Sequence, residues 1–136
     1  MTRSEQNHAI ALLRAAYAAF NRNDISAAVA SLAPEIDWSE PKEFPGGGDY
    51  HGRDEVAEYL ANSRSQWAEG ASQPEGFVVY GQRVVVLVHA RFRLKGQEEW
   101  MEVRLADVYT FHDGTPVQMR AFADRKAALT WAEADR

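Results

Sequence analysis

Two segments between residues 83 and 112 carry an apolar residue at nearly every second position, which is the two-residue period of a β-strand. Residues 83–95 and 101–112 both follow this pattern, and Gly96-Gln97 lies between them as a turn, which predicts a β-hairpin. Side chains of a strand point alternately to its two faces. One face of the second predicted strand is apolar except for a single charge; its residues are Met101, Val103, Leu105, Asp107, Tyr109 and Phe111.

Asp107 is therefore predicted to point into a core or a cavity. A carboxylate on an apolar wall costs free energy unless it is hydrogen-bonded, paired with a cation or protonated. Perturbed carboxyl groups of this kind are common in functional sites, so Asp107 is our first candidate catalytic residue. The alternative interpretation is a structural aspartate that caps a bulge or pairs with an arginine.

Composition limits the class of protein. The 136 residues fit one domain spanning 1–136, and a hydrophobic share of 46% with a charged share of 26% is typical of a soluble globular protein. The net charge of -5 and the scattered Lys and Arg residues argue against a nucleic-acid partner. The chain has no cysteine and no apolar run approaching ~20 residues, so we expect a cytoplasmic protein that does not enter a membrane.

The first half of the chain is predicted to be mainly helical. Apolar residues lie on one face of a first helix at Ile10, Leu13, Tyr17 and Phe20. Asp24 is a suitable N-cap for a short second helix that ends near residue 32. A third helix is predicted after Asp54 as its N-cap, and its apolar residues are Val56, Tyr59, Leu60 and Trp67.

Two segments between these helices differ in character. Ile36, Trp38 and Glu40 alternate with polar residues as in a short strand, which Pro41 ends. Residues 42–52 are rich in glycine and proline, and we predict a mobile loop over the mouth of a cavity. Further strands are predicted over about 73–80 and 117–123, followed by a C-terminal helix that Asp124 caps.

Three helices followed by a four-stranded antiparallel meander predict an α+β domain with the helices packed on one face of the sheet. A strongly bent sheet wrapped in this way leaves a conical pocket. The opposite, outer face of the sheet is half apolar, which suggests a homodimer through that face. The apolar residues concerned are Val85, Leu87, Val108 and Phe122.

Several short motifs carry a family resemblance. They are Tyr-Ala-Ala-Phe-Asn at 17–21, Asn23-Asp24, Leu32-Ala33-Pro34, Tyr50-His51-Gly52-Arg53, Asp113-Gly114 and Met119-Arg120-Ala121-Phe122. With this order of elements, the sequence resembles the cystatin-like α+β superfamily of ketosteroid isomerase, nuclear transport factor 2 and the SnoaL-like polyketide cyclases. The resemblance covers about residues 8–130 and implies a conical fold, in which a bent sheet and three helices enclose a pocket. The fold hosts unrelated activities, so it does not by itself define a function.

Comparison with ketosteroid isomerase implies roles for two carboxyl groups. The position of that enzyme's general base falls on Glu40, followed by Pro41, and the position of its protonated oxyanion-binding aspartate falls on Asp107. In that enzyme an apolar site keeps the aspartate neutral, so that it can donate a hydrogen bond. The catalytic tyrosine of that family falls on Ala16 and a second pocket tyrosine falls on Leu60, which implies that both phenols are lost and that steroid isomerisation is not the activity. Tyr17 and Tyr59 are adjacent to these positions, and whether they replace the lost donors is open on the sequence alone.

We therefore expect a cofactor-free enzyme that isomerises or cyclises an apolar carbonyl compound. Glu40 would remove a proton next to the carbonyl group, and a protonated Asp107 would donate to the resulting enolate. No metal site is expected, because the four histidines show no ligand spacing. The residues expected to bind the substrate are Trp38, as a stacking surface, Tyr17, Phe20, Leu60, Tyr109, Met119 and, from the loop, His51.

Two other functions remain open on the sequence alone. A non-catalytic binding module for a small molecule or a protein would leave Asp107 exposed to water, salt-bridged or unperturbed. An epoxide hydrolase or hydratase would need an Asp-Arg-Asp group around a water molecule. The alternation of side chains along the strands places Arg91, Arg104 and Arg120 on the outer face of the sheet. An Asp-Arg-Asp group inside the cone is therefore not predicted.

Overall fold

The computed structural model describes residues 1–134, which form four helices and one six-stranded sheet of order β2-β1-β6-β5-β4-β3. β1 runs parallel to β6 and every other neighbouring pair is antiparallel, so the predicted α+β fold is confirmed. No helix within the described residues is long and apolar enough to cross a membrane. The elements are α1 (Arg3–Asn21), α2 (Ile25–Val29), β1 (Asp37–Glu40), β2 (Gly48–His51), α3 (Arg53–Ser65), β3 (Trp67–Tyr80), β4 (Arg83–Leu94), β5 (Trp100–His112), β6 (Thr115–Phe122) and α4 (Arg125–Ala134).

The helix starts are set by hydrogen bonds to free backbone N–H groups. Thr2 and Glu5 form a capping box at α1, in which Thr2 Oγ1 accepts from the Glu5 N–H at 3.1 Å. Asp24 caps α2 as predicted, since its carboxylate accepts from the Ala27 N–H at 3.2 Å. The prediction for α3 is wrong: its N-cap is Gly52, and Asp54 lies within the first turn.

The predicted four-stranded antiparallel meander is confirmed as β3–β6, but the sheet has two further strands, β1 and β2, that the meander did not include. Part of the predicted loop, residues 48–51, is β2, which pairs with β1 so that Tyr50 lies opposite Trp38. Glycine in this segment suggested a loop, but a short strand at the edge of a sheet tolerates it. β1 joins the sheet through its parallel pairing with β6, a contact between distant segments that no local pattern reveals.

β3 also begins earlier than predicted. Trp67 is its first residue rather than part of α3, and the strand runs on through Gly70 and Pro74. The register with β4 shifts between Trp67 and Glu69 and again between Pro74 and Gly76. Such irregularities bend a strand, and they are where glycine and proline are accepted within a sheet. At Gly70 a Cβ atom would lie 2.5 Å from the backbone of Phe92, so only glycine permits this approach.

The main core lies between α1–α3 and the inner face of the sheet. Leu13, Ile36, Val56, Val84 and Val86 are all fully buried there. These residues come from α1, the segment before β1, α3 and β4. The helices are thereby held over the inner face of β4 and β5, on which Asp107 lies.

The outer face of the sheet is covered by α4. Ala128 and Ala132 of this helix are fully buried against a second cluster that includes Val85 and Val108. Trp131 packs on Phe122 with ring centroids 5.6 Å apart. Asp124 begins the helix as predicted, because its side chain accepts from the Lys126 N–H at 2.9 Å.

This packing removes the basis of the predicted dimer face. Val85 and Val108, which suggested an interface between two chains, are already covered within one chain. Leu87 and Phe122 are partly buried in the same cluster. The apolar pattern on the back of the sheet is therefore explained by α4, without a second copy of the chain.

The packing of α4 leads to a first prediction. We expect Ala128→Asp to lower the free energy of unfolding by roughly 2–4 kcal/mol, because it buries an unpaired charge against an apolar cluster. Ala127→Asp is the matched control, since Ala127 is exposed on the same turn of α4 and should change stability by less than about 0.5 kcal/mol. Urea denaturation measures both, and equal effects would contradict the packing of α4 on the sheet.

Candidate functional site

The bent sheet and the helices α1 and α3 enclose a cavity of about 720 Å³. Its floor is the inner face of two neighbouring strands, where alternate side chains of each strand point inward. β4 contributes Val88, Ala90, Phe92 and Leu94, and β5 contributes Met101, Val103, Leu105, Asp107 and Tyr109. The floor is therefore apolar along most of its length, with Asp107 as its one acidic residue.

The segment between β1 and β2 forms part of the cavity wall. Phe44, Pro45 and Gly46 line the cavity, as does Tyr50 of β2, whose hydroxyl donates to the Gly46 carbonyl at 2.5 Å. Of the predicted loop 42–52, residues 44–46 and Tyr50 line the cavity, and the mobility of the loop and its position over the mouth stay predictions. Pro45 and Gly46 are exposed beside Tyr59. The other exposed residues that line the cavity are Glu55, Glu58, Asn62, Gln66 and Met101.

Asp107 is half-buried and lies in a short chain of hydrogen bonds. The Tyr17 hydroxyl donates to Asp107, and the Tyr109 hydroxyl donates to the Tyr17 oxygen at 3.3 Å. Burial raises the pKa of Asp107 to about 6, and the hydrogen bond from Tyr17 opposes this rise. Of residues 1–134, no Arg, Lys or His lines the cavity, so the carboxylate is held by a phenol and not by a cation.

Glu40 lies at the end of β1 and lines the same cavity. Trp38 Nε1 donates to Glu40 Oε2 at 2.7 Å. The pKa of Glu40 is raised to about 8, first by burial and then by the negative charge of Asp107, while hydrogen bonds from Trp38 and Tyr59 oppose the rise. Two carboxyl groups that repel each other in one cavity hold one proton between them near neutral pH.

The two pKa shifts bear on the expected roles of the carboxyl groups, which stay predictions. The family resemblance implied a protonated Asp107, whereas the structure raises the pKa of Glu40 further. The physical reason is that Tyr17 stabilises the ionised form of Asp107, and the charge on Asp107 then disfavours ionisation of Glu40. Near neutral pH the pair holds one proton, and its two pKa values, about 6 and about 8, belong to the pair.

The predicted loss of both phenols is corrected. Tyr17 and Tyr59, each one residue away from the positions that the resemblance implied, supply hydroxyl groups to Asp107 and Glu40 respectively. Burial raises the pKa of both tyrosines above the ordinary range, so they are protonated hydrogen-bond donors at neutral pH. Ala16 and Leu60 line the cavity beside them. Counting without gaps cannot resolve a shift of one residue, which is about 100° around a helix.

The remaining predicted binding residues divide into two groups. Phe20, Leu60 and Tyr109 line the cavity, and so does Trp38. Trp38, however, is only 7% exposed and lies edge-on to Tyr109, so it orients Glu40 rather than offering a stacking surface.

Met119 and His51 do not belong to the site. Met119 is 1% exposed in the main core and lies beside Trp38 and Tyr109 in the strand register, not on the cavity wall. The His51 side chain is 68% exposed, and its Nδ1 lies 2.7 Å from a carboxylate oxygen of Asp37 on the outside of β1. The predicted loop is a strand at His51, and alternation along that strand turns the side chain away from the cavity.

The fold and this site together define a helix-wrapped, conical α+β protein with a carboxyl pair at one end of an apolar cavity. The SnoaL-like domain model matches residues 13–119, so the chain belongs to the SnoaL-like family. Among curated proteins, none has a sequence that matches this chain.

Solved structures show the same fold. A nuclear transport factor 2-like protein of unknown function from Burkholderia pseudomallei is 26% identical, with a TM-score of 0.76 over 92% of this chain and 97% of that one. TerC, crystallised with polyporic acid, is 22% identical, with a TM-score of 0.75 over 94% and 99%. A protein of ketosteroid isomerase-like fold from Catenulispora acidiphila, in complex with trimethylamine, is 14% identical, with a TM-score of 0.73 over 82% and 83%.

Proposed function

We propose that this protein is a cofactor-free enzyme that moves a proton next to the carbonyl group of an apolar small molecule. The observation that supports this best is the placement of Glu40 and Asp107. Both line one largely apolar cavity, each accepts hydrogen bonds from neutral donors, and folding raises the pKa of both. A pair of carboxyl groups that holds one proton at neutral pH contains both an acid and a base.

The proposed step uses each member of the pair once. The Asp107 carboxylate removes a proton from the carbon next to the carbonyl, and the electrons of that C–H bond form the enol double bond. The carbonyl oxygen takes the proton of Glu40, or shares it in a hydrogen bond, as negative charge develops there. Return of a proton to a different carbon gives isomerisation, and attack of the enol on a second carbonyl gives cyclisation.

Neighbouring residues support these roles through hydrogen bonds. Tyr17 holds the Asp107 carboxylate in one orientation and keeps it ionised near neutral pH. Trp38 and Tyr59 orient the Glu40 carboxyl group. The roles of the two carboxyl groups are thus the reverse of those suggested by the family resemblance.

The relatives support a small molecule as the ligand of this fold. TerC was crystallised with polyporic acid, and the protein of ketosteroid isomerase-like fold was found with trimethylamine. For the present chain we infer an apolar ligand, because the floor of the cavity beyond the carboxyl pair carries no charge.

The two other functions have less support. A binding module has no need for a pair of repelling carboxyl groups in its cavity. It would leave Asp107 exposed, salt-bridged or unperturbed, whereas no Arg, Lys or His among residues 1–134 lines the cavity and burial raises the pKa of Asp107. An epoxide hydrolase or hydratase would need an arginine in the cavity. Arg91, Arg104 and Arg120 are exposed and do not line it.

The cellular location and the oligomeric state of the protein stay predictions. One is a cytoplasmic location. The other is a homodimer, which would have to use a surface other than the residues that α4 covers. Light scattering of the purified chain measures the second directly.

The proposed function is tested by proton exchange with an enolisable ketone. We expect the protein to exchange the α-protons of 2-tetralone for deuterium in D2O near neutral pH, as followed by proton NMR, faster than a Glu40→Gln/Asp107→Asn double variant does. The double variant is the blank, because it retains the cavity and loses both ionisable groups. Equal rates for the two proteins with 2-tetralone and with 2-indanone would contradict the proposal.

A further inference from the structure

We propose that the cavity contains a second binding region, an aromatic wall in which Phe20 and Phe92 are backed by the buried Trp67, and that this wall takes a flat apolar ring at the far end of an elongated substrate. The carbonyl group of that substrate would lie at Glu40 and Asp107. Only this placement of the carbonyl group rests on the proposed function. The aromatic wall narrows the substrate class to two-ended molecules, with a carbonyl head and an aryl tail.

The two regions lie far apart along the same strands. Asp107 is opposite Val86 in the β4–β5 register, and Phe92 lies six residues further along β4, opposite Met101. At ~3.3 Å per residue this is a separation of about 20 Å along the strand. A single ring at the carboxyl pair cannot cover such a length, so a ligand that fills the cavity is elongated.

The floor between the two regions is continuous and apolar. Inward-facing residues from the two strands follow one another without a charged or hydrogen-bonding side chain; they are Val88 and Ala90 on β4 and Leu105 and Val103 on β5. Ala90 has the smallest side chain of this floor, and it leaves room halfway along the cavity. An apolar linker gains from burial on such a surface, whereas a polar one would lose its hydrogen bonds to water.

The aromatic wall is already assembled without a ligand. The rings of Trp67 and Phe92 are stacked with centroids 4.7 Å apart and an interplanar angle of 2°, and Phe20 meets Trp67 edge-on at 5.4 Å. The Arg64 guanidinium lies over the Trp67 ring, 5.4 Å from its centroid. Rings held in this way lose little freedom when a further ring packs against them, so binding there costs little ordering.

This end of the cavity is also where it opens to solvent. Met101, opposite Phe92 in the register, is 44% exposed although it lines the cavity. A substrate can therefore enter with its carbonyl head first and leave its ring near the opening.

The test is a series of methyl ketones that carry a 2-naphthyl group after one, four or seven methylene groups. Dissociation constants from isothermal titration should fall about tenfold or more from the shortest to the longest, because the linker and ring become buried. The comparison ligand is an alkyl methyl ketone with as many heavy atoms as the longest naphthyl ketone. The alkyl ketone should bind about three- to tenfold more weakly than the naphthyl ketone, because the alkyl ketone lacks the ring that packs on the wall.

Two variants locate the effect in the cavity. Phe92→Leu should raise the dissociation constant of the longest naphthyl ketone about five- to tenfold, since this ketone reaches the wall. The dissociation constant of the shortest, which does not reach it, should stay within about twofold of the wild-type value. Ala90→Phe should remove the dependence on length by filling the middle of the floor. Phe122→Leu is the matched control, because Phe122 lies on the outer face of the sheet against Trp131. This substitution should leave the dissociation constants of both ketones unchanged.

The outcomes separate the two proposals. Dissociation constants that do not depend on length or on Phe92 would overturn the aromatic wall as a binding region, and so would a failure of every ketone to bind. Length-dependent binding that Phe92→Leu abolishes would support it, even if 2-tetralone undergoes no exchange and the proposed proton transfer fails. Circular dichroism shows whether each variant is folded, and the comparison of ligands within wild type does not depend on the variants.

Discussion

Asp107→Asn and Glu40→Gln should each lower kcat/KM for α-proton exchange by about 10²–10⁴-fold, the range that a positioned acid or base supplies. Asp107→Asn keeps the shape of the side chain and an oxygen that can accept from Tyr17, but it cannot take up a proton. Glu40→Gln keeps a hydrogen-bond donor and loses the acidic proton. Proton NMR with 2-tetralone in D2O measures both variants.

The double variant should be no slower than the slower single variant. Residues that act as one unit are not additive, because the loss of either member already stops the shared proton transfer. Asp37→Asn is the matched control: Asp37 is exposed on the same strand as Glu40 and pairs with His51 outside the cavity. Losses that multiply, or a loss in Asp37→Asn of the same size, would contradict the pair as the acid and base.

The pH profile of wild type follows from the same pair. The active form has Asp107 ionised and Glu40 protonated, so the rate should rise as pH increases through about 6 and fall as pH increases through about 8. The two carboxyl groups titrate as a coupled pair. The pH profile of the rate therefore gives two apparent pKa values of the pair and not one value for each residue.

The same two substitutions should stabilise the folded protein at alkaline pH. Folding raises the pKa of Asp107 from 3.8 to about 6 and that of Glu40 from 4.5 to about 8. The folded state therefore holds these protons more tightly than the unfolded state, and the stability they contribute is fully present below about pH 4 and is lost as pH rises to about 8. At about 1.4 kcal/mol per pH unit, the loss is on the order of 8 kcal/mol for the pair.

We therefore expect the Glu40→Gln/Asp107→Asn double variant to unfold at a higher urea concentration than wild type at pH ~9 and at a similar one at pH ~4. The difference between the two proteins isolates the pair, because other carboxyl groups titrate alike in both. Among those, Glu75 has the opposite effect on wild type, since the hydrogen bond from Arg125 lowers its pKa. A double variant that is less stable than wild type at pH ~9 would show that the carboxyl pair holds the fold together.

Activity and stability should thus change in opposite directions in one protein. A pair of groups that costs stability and is needed for the reaction is what a functional site requires, whereas a structural pair would lower both when removed. The combination distinguishes the two interpretations of Asp107 that the sequence left open.

Local patterns in the sequence were sufficient to find both carboxyl groups. Alternation along β5 isolates Asp107 on an apolar face, and alternation along β1 places Glu40 on the same side as Trp38. A strand's period of two acts within a few residues, so it can be read without knowledge of the rest of the fold. The caps of α2 and α4 are local for the same reason, since each aspartate bonds to an N–H two or three residues away.

Contacts between distant segments decided the rest. The bends of β3, the parallel pairing of β1 with β6 and the covering of Val85 and Val108 by α4 all join residues far apart in the sequence. The phenols of Tyr17 and Tyr59 reach the carboxyl groups through the rotation of two helices over the sheet, which no residue count resolves.

The proton affinity of the carboxyl pair was likewise decided by tertiary structure. Sequence alternation indicates that Asp107 and Glu40 face inward, but the pKa of each depends on burial, on hydrogen-bond donors and on the other's charge. Tyr17 comes from α1 and Glu40 from β1, and both meet Asp107 of β5 only in the folded chain. The sequence by itself determined which groups are available for chemistry. The tertiary structure decided how tightly the two carboxyl groups hold a proton, because electrostatic interactions act through space and not along the chain.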